Sequence, residues 1–128
     1  MSLRSPLRRV MGLGSARGGA GHWYGQRVSA VALVLLGLWL VLSFATLGGA
    51  SHARVVAWLS APLSSALAVL LVLTVAWHAV LGLQVVIEDY VPQKGRRTAL
   101  LLAVKFALAV AAVVGVLAVL RIAFGAAA

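Results

Sequence analysis

The sequence predicts an all-α integral membrane protein with three transmembrane helices, and three observations carry that prediction. The 128 residues are 63% hydrophobic and 10% charged, with a mean hydropathy of +1.08. A soluble fold of this size buries only about 60–70% of its surface and has nowhere to hide so much apolar area. The apolar residues fall into three long runs, at about 28–47, 62–88 and 99–120. At about 1.5 Å per residue each spans the roughly 30 Å of a bilayer core. The basic residues gather at the ends of these runs rather than along one polar face. The net charge of +9 therefore sets topology and meets anionic headgroups, and no nucleic-acid partner is expected.

Residues 1–27 read as a basic, glycine-rich arm, cytoplasmic or interfacial, ahead of a three-helix anchor domain at 28–128. The arm carries Arg4, Arg8, Arg9, Arg17 and Arg27. No strand precedes its glycines, so it holds no dinucleotide fingerprint. The apolar run after it is too long for the core of a cleaved signal peptide, about 7–15 residues. The first helix is expected to end at Gly48 and Gly49. A connection over 50–61 carries His52, Arg54 and Trp58, and Pro62 suits the first turn of the next helix. The second run continues unbroken to Glu88 and is longer than a span needs, so tilt or a protruding end is expected. Residues 91–98 read as a turn with Pro92 and Gly95. The third run is interrupted only by Lys105, which can snorkel, and is closed by Arg121.

Loop charge gives the expected orientation. Five Arg in the arm and Lys94, Arg96 and Arg97 after the second helix outweigh Arg54 and Arg121 on the other side. By the positive-inside rule the N-terminus is cytoplasmic and the C-terminus lies across the membrane. Trp23, Tyr24, Trp58 and Tyr90 fall near the expected interfaces.

There are no cysteines, so the chain holds no iron–sulfur cluster and attaches no c-type haem. His78 is the one imidazole at membrane depth, with His22 and His52 outside the spans. An intramembrane ionisable group is costly and marks a functional site by default. A neutral histidine bonded to a neighbouring helix is the other reading, and both stand. At about 100° per residue, His78 shares a helix face with Asp89, about 16 Å further along the axis. Thr74, Gly82 and Val85 lie on the same stripe. Gly82, one turn from His78, would let a flat macrocycle approach the backbone or would serve helix packing. A haem with two histidine ligands would need the second from another chain, since a single histidine lies at depth here.

Glu88 and Asp89 are the only acids in the chain. They sit at a helix C-terminus, where the macrodipole disfavours them. With Tyr90 they form either a solvated helix end or a proton-handling group beside a quinone carbonyl. Arg27, at the entry to the first span, is a topology charge or a partner for an acidic cofactor group.

The stretch from His78 to Val91, His-Ala-Val-Leu-Gly-Leu-Gln-Val-Val-Ile-Glu-Asp-Tyr-Val, closely resembles the second transmembrane helix of the hydrophobic membrane-anchor (D-type) subunit of succinate dehydrogenase, respiratory complex II. Residues 14–27, Gly-Ser-Ala-Arg-Gly-Gly-Ala-Gly-His-Trp-Tyr-Gly-Gln-Arg, followed by Val28, Ser29 and Ala30, resemble the arm and first helix entry of that subunit in alphaproteobacteria. The resemblance implies that His78 is the axial ligand to the iron of haem b. The other ligand would come from a larger cytochrome b556 anchor subunit. It implies that Tyr90 hydrogen-bonds the ubiquinone carbonyl with Asp89 beside it, and that Arg27 and Ser29 border the haem propionates and quinone pocket. His22 falls near an arm histidine of the family, with a different spacing to Arg27. The implied partners are that larger anchor, an iron–sulfur subunit and a flavoprotein oxidising succinate, on the inner membrane of a bacterium. Three alternatives are the anchor of a menaquinone-linked fumarate reductase, a haem-free structural anchor and a small transporter. No acid lies deep in any span, which counts against proton-coupled transport.

Overall fold

The computed structural model describes residues 19–49 and 51–125. The arm residues Arg4, Arg8, Arg9 and Arg17, with the Gly14–Gly18 part of the resemblance, lie outside the described residues. The described chain forms four helices: α1 (Gly19–Leu47), α2 (His52–Ser60), α3 (Pro62–Tyr90) and α4 (Lys94–Ala123). Three of them, α1, α3 and α4, are long and apolar enough to cross a membrane.

The boundaries differ from expectation in three places. The helix α1 begins at Gly19 rather than at 28. Gly19, Gly21 and Gly25 are poor helix formers, each costing about 1 kcal/mol relative to alanine. Packing overrides propensity here, because a Cβ on Gly25 would stand 3.3 Å from Leu81 Cδ1. The connection expected over 50–61 contains α2. A nine-residue helix has little stability of its own, and docking supplies it. Trp58 stacks on Trp39 with ring centroids 5.5 Å apart and meets Phe44 at 5.7 Å. Arg54 Nη1 donates to the Leu47 carbonyl at 3.4 Å, and Ser60 Oγ, 2.8 Å from the Val56 carbonyl of its own helix, shares its hydrogen with the Ile122 carbonyl at 3.2 Å. The Leu47 and Ile122 acceptors lie in the last turns of long helices, where carbonyls lack intrahelical partners. Finally, the turn expected over 91–98 is shorter, since α4 starts at Lys94 with Gln93 as its N-cap.

The expected helix punctuation holds at Pro62, the first residue of α3. It also holds after Leu47, where Gly48 and Gly49 take φ of +36° and +62°, a region that L side chains rarely adopt.

The helix α3 is central, packing against α1 on one side and α4 on the other, with α2 against α3 and α4. Ser29 near the start of α1 meets His78 late in α3, and Gly115 late in α4 meets Val72 early in α3. Both seams are therefore antiparallel. Among the described residues the buried apolar ones are few: Leu36, Leu81, Ile87 and Val119. Val34 and Phe106 are 67% and 72% exposed. Outward apolar side chains carry no penalty where the surroundings are acyl chains.

Candidate functional site

Three polar side chains of the long helices, Gln26, Ser29 and His78, converge where α1 crosses α3. Ser29 is 5% exposed, the one buried polar residue among those described. Its Oγ lies 2.7 Å from the Gly25 carbonyl, 3.1 Å from the Gln26 carbonyl and 2.9 Å from His78 Nδ1. The Gln26 carboxamide nitrogen lies 3.2 Å from the other ring nitrogen, His78 Nε2. The imidazole is thus held at both nitrogens by one turn of α1. The Gln26 Oε1 is buried without a hydrogen-bond partner, and so is His22 Nε2.

Beside this cluster an open groove of about 720 Å³ runs between α1 and α3, with His22, Gln26, Arg27, Gly82, Val85 and Glu88 in its wall. Gly82 leaves the wall bare: a Cβ there would meet only the Gln26 amide, at 3.6 Å. The close approach of the two helices falls on Gly25 instead. The Arg27 guanidinium sits 5.6 Å from the Trp23 ring centroid, one turn back, a cation–π geometry. Glu88 accepts a hydrogen bond from Gln84 at 2.9 Å.

A second groove, of about 660 Å³, opens where α3 turns into α4, with Tyr90, Pro92, Gln93, Arg96 and Leu100 among its walls. Tyr90 is 82% exposed, and Asp89 is exposed beside it. Of the residues singled out from the sequence, the structure brings His78, Ser29 and Arg27 to the α1·α3 side. It gives Tyr90 to the other groove, so these residues do not form one pocket within this chain. Among the described residues no three of His, Cys, Asp and Glu cluster as a metal site.

The sequence does not single out Gln26 as a site residue, and Arg96 stands there among the loop charges. The signal for Gln26 was present. His22, Gly25, Gln26 and Ser29 are spaced i, i+3, i+4 and i+7, one stripe of a helix. Ending the arm at 27 hid that period. For Arg96 nothing local distinguishes it from Arg97; only the turn of α4 puts it near Tyr90.

A family profile described as succinate dehydrogenase/fumarate reductase transmembrane subunit matches residues 1–116. The succinate dehydrogenase hydrophobic membrane anchor subunit of Rickettsia bellii (strain RML369-C) is 39% identical over 103 residues, covering 80% of this chain and 82% of that protein. The subunit of the same name from Paracoccus denitrificans is 32% identical over 122 residues, covering 95% and 94%. That from Rickettsia conorii (strain ATCC VR-613 / Malish 7) is 33% identical over 103 residues, covering 80% and 82%. These alphaproteobacterial relatives and the three long apolar helices agree on a multi-pass protein of the bacterial inner membrane. Matched along most of its length by both profile and relatives, the chain belongs to the succinate dehydrogenase/fumarate reductase transmembrane subunit family, among its hydrophobic membrane anchors.

Proposed function

We propose that this chain, together with a larger cytochrome b556 subunit, holds a b-type haem through His78 and helps form the site at which ubiquinone is reduced. Electrons come from succinate by way of a flavoprotein and an iron–sulfur subunit. The observation that carries the reading is His78, a lone imidazole at membrane depth, pinned at both nitrogens beside a groove with a bare glycine wall.

The residues fit the group. An imidazole nitrogen is an ordinary iron ligand; His78 Nε2 would be free for it once the Gln26 amide, 3.2 Å away, turned aside, and Gly82 leaves the adjoining groove wall bare. Arg27 and His22, in the wall of the same groove, suit the negative charge of propionates. When bound, the haem supplies a one-electron carrier within the membrane. His78 would hold its iron, and the groove residues Gln26, Arg27 and Gly82 would orient the ring and keep water from the seam.

Tyr90 and Asp89 are assigned to the quinone. Reduction of a quinone takes two electrons and two protons, and a phenol beside a carboxylate can donate to a quinone carbonyl and be resupplied. The groove that includes Tyr90 offers one phenol and one guanidinium, Arg96, against the apolar Leu100 and Ala103. That composition suits a ring with polar edges and an apolar tail. The excess of Lys and Arg puts this end of the bundle, with the N-terminus, on the cytoplasmic side, where soluble dehydrogenase subunits dock. The C-terminus then lies across the membrane.

The test is optical. In the complex purified through a tag on this chain, the succinate-reduced minus oxidised spectrum is expected to show a b-type haem. The His78→Ala complex is expected to lack it. A full haem signal per assembled His78→Ala complex would end the assignment.

A further inference from the structure

We propose that Ser29 is the positioning residue for His78: its hydroxyl fixes the imidazole as the Nδ1–H tautomer and so reserves the Nε2 lone pair for iron. This rests on the reading of His78 as the axial ligand, and it adds a role for a residue on a different helix.

The inference follows from counting protons. A serine hydroxyl has one hydrogen to give. The Gly25 carbonyl at 2.7 Å and the Gln26 carbonyl at 3.1 Å both lie where that hydrogen must point, and a carbonyl oxygen has none to return. Ser29 Oγ therefore turns lone pairs toward His78 Nδ1, 2.9 Å away. Two acceptors at that distance would repel, so Nδ1 carries the hydrogen. The second ring nitrogen is then a bare acceptor. The Gln26 carboxamide stands 3.2 Å from it and would give up that place to iron. The geometry at Ser29 thus fixes the tautomer.

The backbone makes the arrangement stiff. Ser29 and Gln26 are on one turn of α1, and the Ser29 acceptors are main-chain atoms of that turn. Burial of Ser29 to 5% exposure keeps water from competing for its lone pairs. A metal-bound imidazole that donates its other N–H to an oxygen is a stronger ligand, and loss of such a partner costs about 10–100-fold in metal affinity. A stronger imidazole donor favours the ferric state and lowers the haem reduction potential.

The experiment uses the whole complex with Ser29→Ala, Ser29→Thr and His78→Ala variants. Haem per assembled complex, haem loss to apomyoglobin and the haem midpoint potential are measured. Ser29→Ala is expected to hold haem about tenfold or more less tightly, with the remaining haem shifted to higher potential. Ser29→Thr, whose hydroxyl can make the same bond to the carbonyl one turn back, is expected to restore both. Wild-type retention and potential in Ser29→Ala would overturn the role of Ser29 while leaving His78 as ligand. Haem loss from Ser29→Ala with an unchanged potential would assign the effect to packing and overturn it too. Full haem in His78→Ala would instead overturn the underlying ligand assignment.

Discussion

The helix α3 makes two seams out of opposite materials. Against α1 it presents His78, and α1 answers with Gln26 and Ser29. Against α4 it presents Val72, and α4 answers with Gly115, where a Cβ would stand 3.0 Å from Val72 Cγ1. Each seam uses a glycine for close approach, Gly25 in one and Gly115 in the other. Only the first adds hydrogen-bonding side chains. Within a bilayer, apolar contact alone gives little drive to associate, because lipid tails are as apolar as valine. Close packing at small residues is sufficient for the α3·α4 seam. The polar side chains of the α1·α3 seam exceed what packing needs, and intramembrane polar groups are expensive to keep. That excess separates the two seams, and the haem role proposed for the α1·α3 seam accounts for it.

Three substitutions test this difference. The largest effect is expected for Gly25→Leu, since its side chain would drive into Leu81 and displace Gln26 and Ser29 from His78. Overpacking costs about 1–3 kcal/mol, and haem per assembled complex is expected to fall along with thermal stability. Stability loss with full haem content would mean that the imidazole is held without α1. Gly115→Leu is expected to cost a similar 1–3 kcal/mol through Val72. Here thermal unfolding should come earlier while surviving complexes keep their haem, and haem loss equal to that of Gly25→Leu would erase the distinction between the seams. The smallest effect is expected for Tyr90→Phe, which removes one hydroxyl from the exposed end of α3. Quinone reduction is expected to slow by up to about tenfold, the worth of one hydrogen bond of about 0.5–1.5 kcal/mol. Succinate oxidation by an artificial dye should be unaffected. Equal loss of both activities would assign the effect to misassembly.

Much of the candidate site was legible before any coordinates, and the omissions have a common cause. His78 stands out because a charge-capable side chain in an apolar run is rare. Tyr90 and Asp89 stand out because they end that run. Gln26 escaped notice because three glycines nearby argue against a helix, and a polar stripe has meaning only once the helix is granted. The short α2 escaped for the same kind of reason. Its nine residues are helical through Trp58 against Trp39 and through bonds to the ends of α1 and α4, none of them local in sequence. The expected common face of His78 and Asp89 is a property of one helix. The grooves that form are properties of helix pairs, and Tyr90 turns out to share a wall with Arg96 rather than with His78.

The residues read alone decide the class of molecule, the count of membrane spans, the punctuation at Pro62 and Gly48, and the presence of one imidazole at depth. Those depend on transfer from water to lipid and on backbone freedom, which each segment carries by itself. Tertiary packing decided how far α1 extends, the existence of α2 and the neighbours of His78. Each of those depends on which helix lies against which, and a hydrogen bond between positions 29 and 78 exists only after two helices have met.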